Sequence, residues 1–203
     1  MSKNQLHGKK YEDYLKLAFS DSINEKYNNQ WDVDKSYDND NNLPTQIKTT
    51  GSNYVDLADA RRFWLIQEPY RLLIAKYEQL KNIKQFNLLY EFNISIEEHS
   101  KLLGDITYNE IKDFHNNLIN YKTGFHSAAR VFAQEKKILF ALRSIIKLNP
   151  KIDSKNQRRL QCSININSLL INIKEQNIYS GINLYRGINI NYNIESGKRE
   201  FNK

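Results

Sequence analysis

Asp32, Asp34, Gln46 and Lys48 are residue types that hold cations and move protons, and they occupy two short segments close in sequence. Trp31-Asp-Val-Asp34 and Leu43-Pro-Thr-Gln-Ile-Lys48 flank the turn-rich run Ser36 to Asn42. Read as strands over 30–35 and 43–50 turning near Asp40, they place Asp32 opposite Lys48 and Asp34 opposite Gln46. Residues two apart on a strand share a face, and directly opposed cross-strand residues share it too. Two carboxylates, a carboxamide and an ammonium then converge on one patch. Carboxylate and carbonyl oxygens are what a hard divalent cation such as Mg²⁺ selects. A lysine beside such a cation can orient or deprotonate an attacking water while the metal stabilises a phosphorane. The plainer reading is a solvated hairpin with an Asp32–Lys48 ion pair, and exposed pairs contribute roughly 0–1 kcal/mol.

The elements that must position these groups follow from periodicity. Tyr11, Tyr14, Leu15 and Ala18 recur at helical spacing over residues 9 to 20, and Glu12 sits one position from that stripe. Arg71 to Tyr77 and Gln85 to Ile94 read as two strands joined by a hairpin through residues 80–85. Val55 to Leu65 reads as a short helix running into a strand. Ile111, Phe114, His115 and Leu118 mark one helix face. Ala128, Val131, Phe132, Ile138, Leu139, Leu142, Ile145 and Ile146 mark a longer helix ending before Asn149-Pro150. Leu160 to Ile166 and Leu184 to Ile190 read as late strands. Strands, then helices, then strands predict an α/β fold with a central mixed β-sheet flanked by helices. It is expected to be a single domain over 1–203, with residues 1–95 holding the core elements and 96–203 the helices and late strands.

The bulk numbers narrow the function classes. A chain of 203 residues with formal net charge +7 and pI near 9.3 favours an anionic partner, of which nucleic acid is the commonest large one. Cys162 is the only cysteine, which leaves neither an internal disulfide nor a cysteine-rich zinc site. His7, His99, His115 and His126 fall on different segments without ligand spacing, which argues against a histidine-held metal. His115, on an apolar helical face, is expected in the core. The N-terminal residues lack the apolar centre of a signal peptide, and no apolar run reaches membrane-spanning length. The expectation is a soluble, cytoplasmic protein.

The order of these pieces carries more than any one of them. Glu12 lies in Gly8-Lys-Lys-Tyr-Glu12 on the first helix, Asp32 in Trp31-Asp-Val, and then comes Gln46-Ile-Lys48. The segment Asp56-Leu-Ala-Asp-Ala-Arg-Arg62 follows. This block resembles the PD-(D/E)XK nuclease superfamily, particularly small type II restriction endonucleases. In that family a helix carries a glutamate, a strand the metal-binding aspartate, and the next strand (D/E/Q)-X-K.

The resemblance covers about the first third of the chain and implies a restriction-endonuclease-like core. It implies Asp32, Gln46, Lys48 and Glu12 as catalytic residues. Mg²⁺ would be held by Asp32, Gln46, the Ile47 backbone carbonyl and Glu12. It further implies sequence-specific hydrolysis of double-stranded DNA to 5′-phosphate and 3′-hydroxyl ends by a homodimer with one site per strand. A companion DNA methyltransferase is expected genetically rather than as a bound partner. Gln46 stands where glutamate or aspartate is commoner, and a neutral amide offers one weaker oxygen and no charge. Asp34, Asp38 and Asp40 are alternatives to Asp32, because they too precede Gln-X-Lys.

DNA-facing candidates lie elsewhere. Arginine pairs bidentately with guanine, and Asn or Gln with adenine. Lys155, Asn156, Gln157, Arg158, Arg159 and Gln161 are therefore a candidate reading cluster, with phosphate contact alone as the alternative. Arg61 and Arg62 suit phosphate positioning, unless one of them pairs with Asp56 or Asp59. Two other readings stay open: a repair or junction-resolving nuclease of the same fold, and a non-catalytic DNA-binding protein in which Gln46 marks a decayed site.

Overall fold

A computed structural model of the chain describes residues 3–20, 30–155, 157–181 and 183–195, with side chains from residue 8 onward. Its helices are α1 (Lys3–Lys16), α2 (Ala60–Trp64), α3 (Ile96–Leu103), α4 (Tyr108–Asn120), α5 (His126–Ala141) and α6 (Ile166–Asn172). The first strands are β1 (Thr45–Thr50), β2 (Tyr54–Asp59), β3 (Tyr70–Leu80) and β4 (Ile83–Ile94). β5 (Lys147–Ile152), β6 (Arg158–Asn165) and β7 (Glu175–Ser180) follow. The last are β8 (Leu184–Tyr185), β9 (Ile188–Asn189) and β10 (Tyr192–Glu195). The architecture is mixed α/β. No helix among the described residues is long and apolar enough to cross a membrane.

The chain divides into two compact units. The first comprises Met1–Asn53, Pro69–Ile94 and Ile173–Lys203, and the second Tyr54–Glu68 and Ser95–Asn172. The first is built on the β3–β4 hairpin, whose tight turn places Lys81 at φ 52°. β1 runs parallel to β3 in the register Thr45↔Arg71 to Thr50↔Lys76. The far side of β4 is shared: β10 pairs with its first residues and β7 with its last. α1 covers this sheet because Tyr11 and Leu15 recur four apart and pack with Ile47, Leu73, Ala75, Phe86 and Leu89. Tyr11 stacks on Phe86 at 3.9 Å and donates its hydroxyl to the Ile190 carbonyl at 2.8 Å. Tyr14 donates to the Asn189 carbonyl at 2.7 Å and stacks on Tyr192.

The second unit carries the antiparallel sheet β2-β6-β5. Leu148, Leu160, Cys162 and Ile164 are buried, as are Ile111, Phe114 and Leu118 of α4 and Ala129, Ala133 and Phe140 of α5. Capping boxes start α3 (Ser95 with Glu98) and α4 (Thr107 with Glu110). α3 ends at Gly104, φ 69° and ψ −139°, where an added Cβ would lie 1.8 Å from the Arg143 carbonyl oxygen. Only glycine fits there.

Four local expectations are corrected. The strand expected over 30–35 shrinks to one antiparallel bridge, Val33↔Thr45. Asp34 takes the Ser36 amide and hydroxyl at 2.9 and 2.8 Å and so caps a 3₁₀ turn over Lys35–Tyr37, which ends the extended path. Residues 55–65 run strand then helix, the reverse of the expected order, because Asp59 accepts the Arg61 and Arg62 amides and starts α2. The long helix stops at Ala141, and residues 147–152 form β5 instead. Pro150 is tolerated because β5 is an edge strand. Leu184 to Ile190 is not one strand but a small hairpin, β8–β9, turning at Arg186 and Gly187, both at positive φ.

His99 gives the second unit a pH signature. It is 2 % exposed and packs on the Phe63 ring, and burial lowers its pKa to about 4 despite a hydrogen bond to the Phe63 backbone. Between pH 4 and 6.5 the unfolded chain protonates this imidazole and the folded chain does not. The unfolded state then binds more protons, so stability is complete above pH 6.5 and falls as pH drops through that window. The expected loss is about 3 kcal/mol in denaturant titrations from pH 7 to 4, and His99→Leu should flatten that slope. An unchanged slope in the variant would remove His99 as its source.

Candidate functional site

The site lies on the free side of β1. Arg71 N–H donates to the Pro44 carbonyl at 2.9 Å, so the ladder to β3 uses alternate residues of β1. Ile47 therefore turns its N–H and its carbonyl away from β3. The N–H donates to Asp32 Oδ2 at 2.7 Å. The same oxygen receives Lys48 Nζ at 3.3 Å, with the two side chains about one-fifth exposed. One carboxylate is thus clamped to the strand edge by a backbone amide and an ammonium.

Gln46 and Lys48 share the other face of β1. The bridge at Val33↔Thr45 sets a register in which Asp32 opposes Gln46. This corrects the expected pairing of Asp32 with Lys48 and of Asp34 with Gln46 by two residues. Gln46 is 9 % exposed; its Nε2 donates to the Gln30 carbonyl at 3.1 Å, while its Oε1 is buried without a hydrogen-bond partner. Glu12 enters from α1. Burial pushes its carboxyl up first, the Asp32 carboxylate second, against Lys16 and Lys48. Glu12, Asp32, Gln46 and Lys48 are therefore brought together.

Lys16, 3.0 Å from Glu12, belongs to the same cluster and went unassigned. Its signal was the Glu-x-x-x-Lys spacing, which puts both on one helix face.

The rival aspartates have other work. Asp34 is exposed and bound to Ser36, whose N–H and hydroxyl hold its carboxyl low. Asp38 is buried against Arg71 at 3.0 Å and Arg186 at 2.7 Å, and Asp40 meets Arg186 at 2.9 Å. Burial raises the Asp38 carboxyl, but bonds from Arg71, the Leu43 amide and Arg186 outweigh it and leave it low. Arg71, fully buried, also meets Glu91 at 2.9 Å and Asn93 at 3.2 Å. Glu91 accepts from Asn177, Tyr179 and Tyr185. This is a charge-paired structural network, and it occupies Asp38 and Asp40 with arginines.

The DNA-contact candidates belong to the second unit. Arg61 is paired with Asp59 at 2.9 Å, and Arg62 is exposed. Arg158 is turned inward: its guanidinium donates to the carbonyls of Asp153, Gln157 and Lys122. Lys155 and Gln157 give their backbone amides to Asp153, and Asn156 lies outside the described residues. Arg159 and Gln161 point to the opposite face of β6, where the register sets Lys151 beside Arg159 and Asn149 beside Gln161. Lys147 is on the same face, bonded to the Tyr54 hydroxyl at 2.6 Å. Arg159 and Gln161 of the expected cluster thus stand on a basic, amide-bearing sheet face with Lys147, Asn149 and Lys151.

No family model, curated protein or solved structure matches the chain. Among the described residues no three His, Cys, Asp or Glu side chains converge. A cation at β1 would rest on two carboxylates, the Gln46 amide oxygen and the Ile47 carbonyl. That all-oxygen set suits Mg²⁺, and the partnerless Gln46 Oε1 is the atom that such an ion would satisfy.

Proposed function

We propose that the protein is a Mg²⁺-dependent endonuclease of the PD-(D/E)XK kind that cuts double-stranded DNA at specific sequences, as type II restriction enzymes do. Gln46 Oε1 carries the reading. A buried acceptor left unpaired costs roughly 1–3 kcal/mol, and a plain Asp32–Lys48 ion pair has no need of it. A cation beside Asp32 does.

Asp32, Gln46 Oε1, the Ile47 carbonyl and Glu12 would hold the ion. When bound, Mg²⁺ supplies Lewis-acid neutralisation of charge at the scissile phosphate. Asp32 keeps its place through the Ile47 amide, so its free oxygen has a fixed direction. Lys48 Nζ, held 3.3 Å from Asp32 as an ammonium, donates to the attacking water and so orients it, and its charge stabilises the developing phosphorane. Cleavage leaves 5′-phosphate and 3′-hydroxyl ends. A homodimer would present one centre to each strand.

DNA contact is assigned to the β5–β6 face. Arg159, Lys151 and Lys147 supply charge, and Gln161 and Asn149 supply the amide pairs that read adenine. Arg158→Ala is expected to cost about 2 kcal/mol of stability, since three carbonyls lose a charged donor. Arg159→Ala should leave stability unchanged and reduce the slope of log affinity against log salt by about 1. Denaturation midpoints and filter binding across salt check both halves. The reverse pattern would return the reading role to Arg158.

Plasmid DNA incubated with the purified protein and Mg²⁺ tests the function. Discrete fragments are expected. Cutting confined to branched DNA would move the protein to the junction-resolving class, and metal-independent binding without cleavage would make it a binder.

A further inference from the structure

α5 is apolar on two opposite sides. Ala129, Ala133 and Phe140 are buried, and Phe140 packs on Phe114. At 100° per residue the other side holds Ala128, Val131, Glu135, Ile138 and the C-cap residue Leu142, with Leu139 alongside. Val131, Ile138, Leu139 and Leu142 are exposed by 61, 56, 58 and 87 %. The alternating steps of three and four, 128-131-135-138-142, are those of a seam between packed helices. An amphipathic surface helix has one apolar stripe, not two.

We infer that this outer side of α5 is where a second copy of the chain docks, helix against antiparallel helix. With Ala128 and Leu139, the stripe offers roughly 500 Å² of apolar surface per copy, or roughly 1,000 Å² per pair, where specific interfaces begin. A two-fold contact needs one patch that complements itself, and this stripe is a single uninterrupted patch apart from Glu135. Glu135 also sets the direction. Parallel pairing would press Glu135 against its own copy inside an apolar seam, whereas antiparallel pairing with Val131 against the partner copy's Leu142 sets Glu135 against Ile138. The helix has no acidic residue in its first turn, no basic residue in its last and no side-chain N-cap. An antiparallel neighbour compensates its uncancelled dipole.

The dimer rests on the nuclease reading only for its use, one centre per DNA strand. Sedimentation reads it whether or not DNA is cut. The full chain should sediment as a dimer at about 100 µM. Ile138→Glu with Leu142→Glu should weaken association at least about 100-fold with an unchanged melting curve. Cys162, the only native cysteine, is fully buried, so introduced thiols report cleanly. Val131→Cys combined with Leu142→Cys should oxidise to a covalent dimer, and neither alone should. This also serves if the glutamates unfold the chain. A monomer at that concentration, or a dimer that survives both glutamates, overturns the inference. Equal cross-linking by each single cysteine overturns the antiparallel arrangement.

Discussion

Asp32→Ala and Lys48→Ala are each expected to lower Mg²⁺-dependent DNA cleavage by roughly 10³-fold or more while DNA binding persists. The two losses have different causes. Asp32 supplies the carboxylate beside the Gln46 amide oxygen, so its removal takes away cation binding along with the water's alignment. Lys48 only borders that oxygen set, and Asp32 keeps its bond from the Ile47 amide without it. Lys48→Ala should therefore leave Mn²⁺ or Ca²⁺ binding by calorimetry nearly intact, while Asp32→Ala abolishes it. Asp32→Asn is the sharper control, because an amide oxygen still accepts from Ile47 and the strand edge stays whole. Cleavage at the parent rate in either alanine variant would sink the assignment of this centre.

Arg71→Met is expected to cost about 3–5 kcal/mol, a large part of the stability of a domain this size. Arg71 is fully buried with carboxylates of Asp38 and Glu91 on either side. Deleting the guanidinium strands Glu91 among neutral donors and leaves Asp38 with Arg186 alone. Desolvation of both acids persists, and the charge that compensated it is gone. Urea titration reads the loss directly. A shift under about 1 kcal/mol would mean that water enters and takes the arginine's place.

The long strands were legible because leucine, isoleucine and aromatic residues dominate both sides of residues 81–82, with Leu72 to Ala75 and Leu88 to Tyr90 as their apolar centres. α1 was legible from its four-residue apolar repeat, and the identities of Asp32, Gln46 and Lys48 were visible as a spacing. The register between Asp32 and β1 was not, because it depends on Asp34 capturing Ser36 within a stretch that pattern reading treats as strand. Nor was the fate of Asp38, which hinges on Arg186, 148 positions away. Arg158 reads as a surface cation by composition, yet an alternating strand has to bury one of two adjacent arginines, and only the fold decides which.

The bonds from Tyr11 and Tyr14 to the Ile190 and Asn189 carbonyls set a timetable. They join positions 179 and 175 residues apart. Loop closure over that span costs only slowly more than over shorter ones, yet contacts this distant in sequence form late in folding. Glu12 rides on the helix that these bonds anchor. That helix is fully fastened only once residues 189–192 have docked, although its packing on Ile47, Leu73, Ala75, Phe86 and Leu89 does not wait for them. On the nuclease reading proposed above, a half-folded copy would hold the Asp32 edge with the helix of Glu12 not yet fastened at residues 189 and 190.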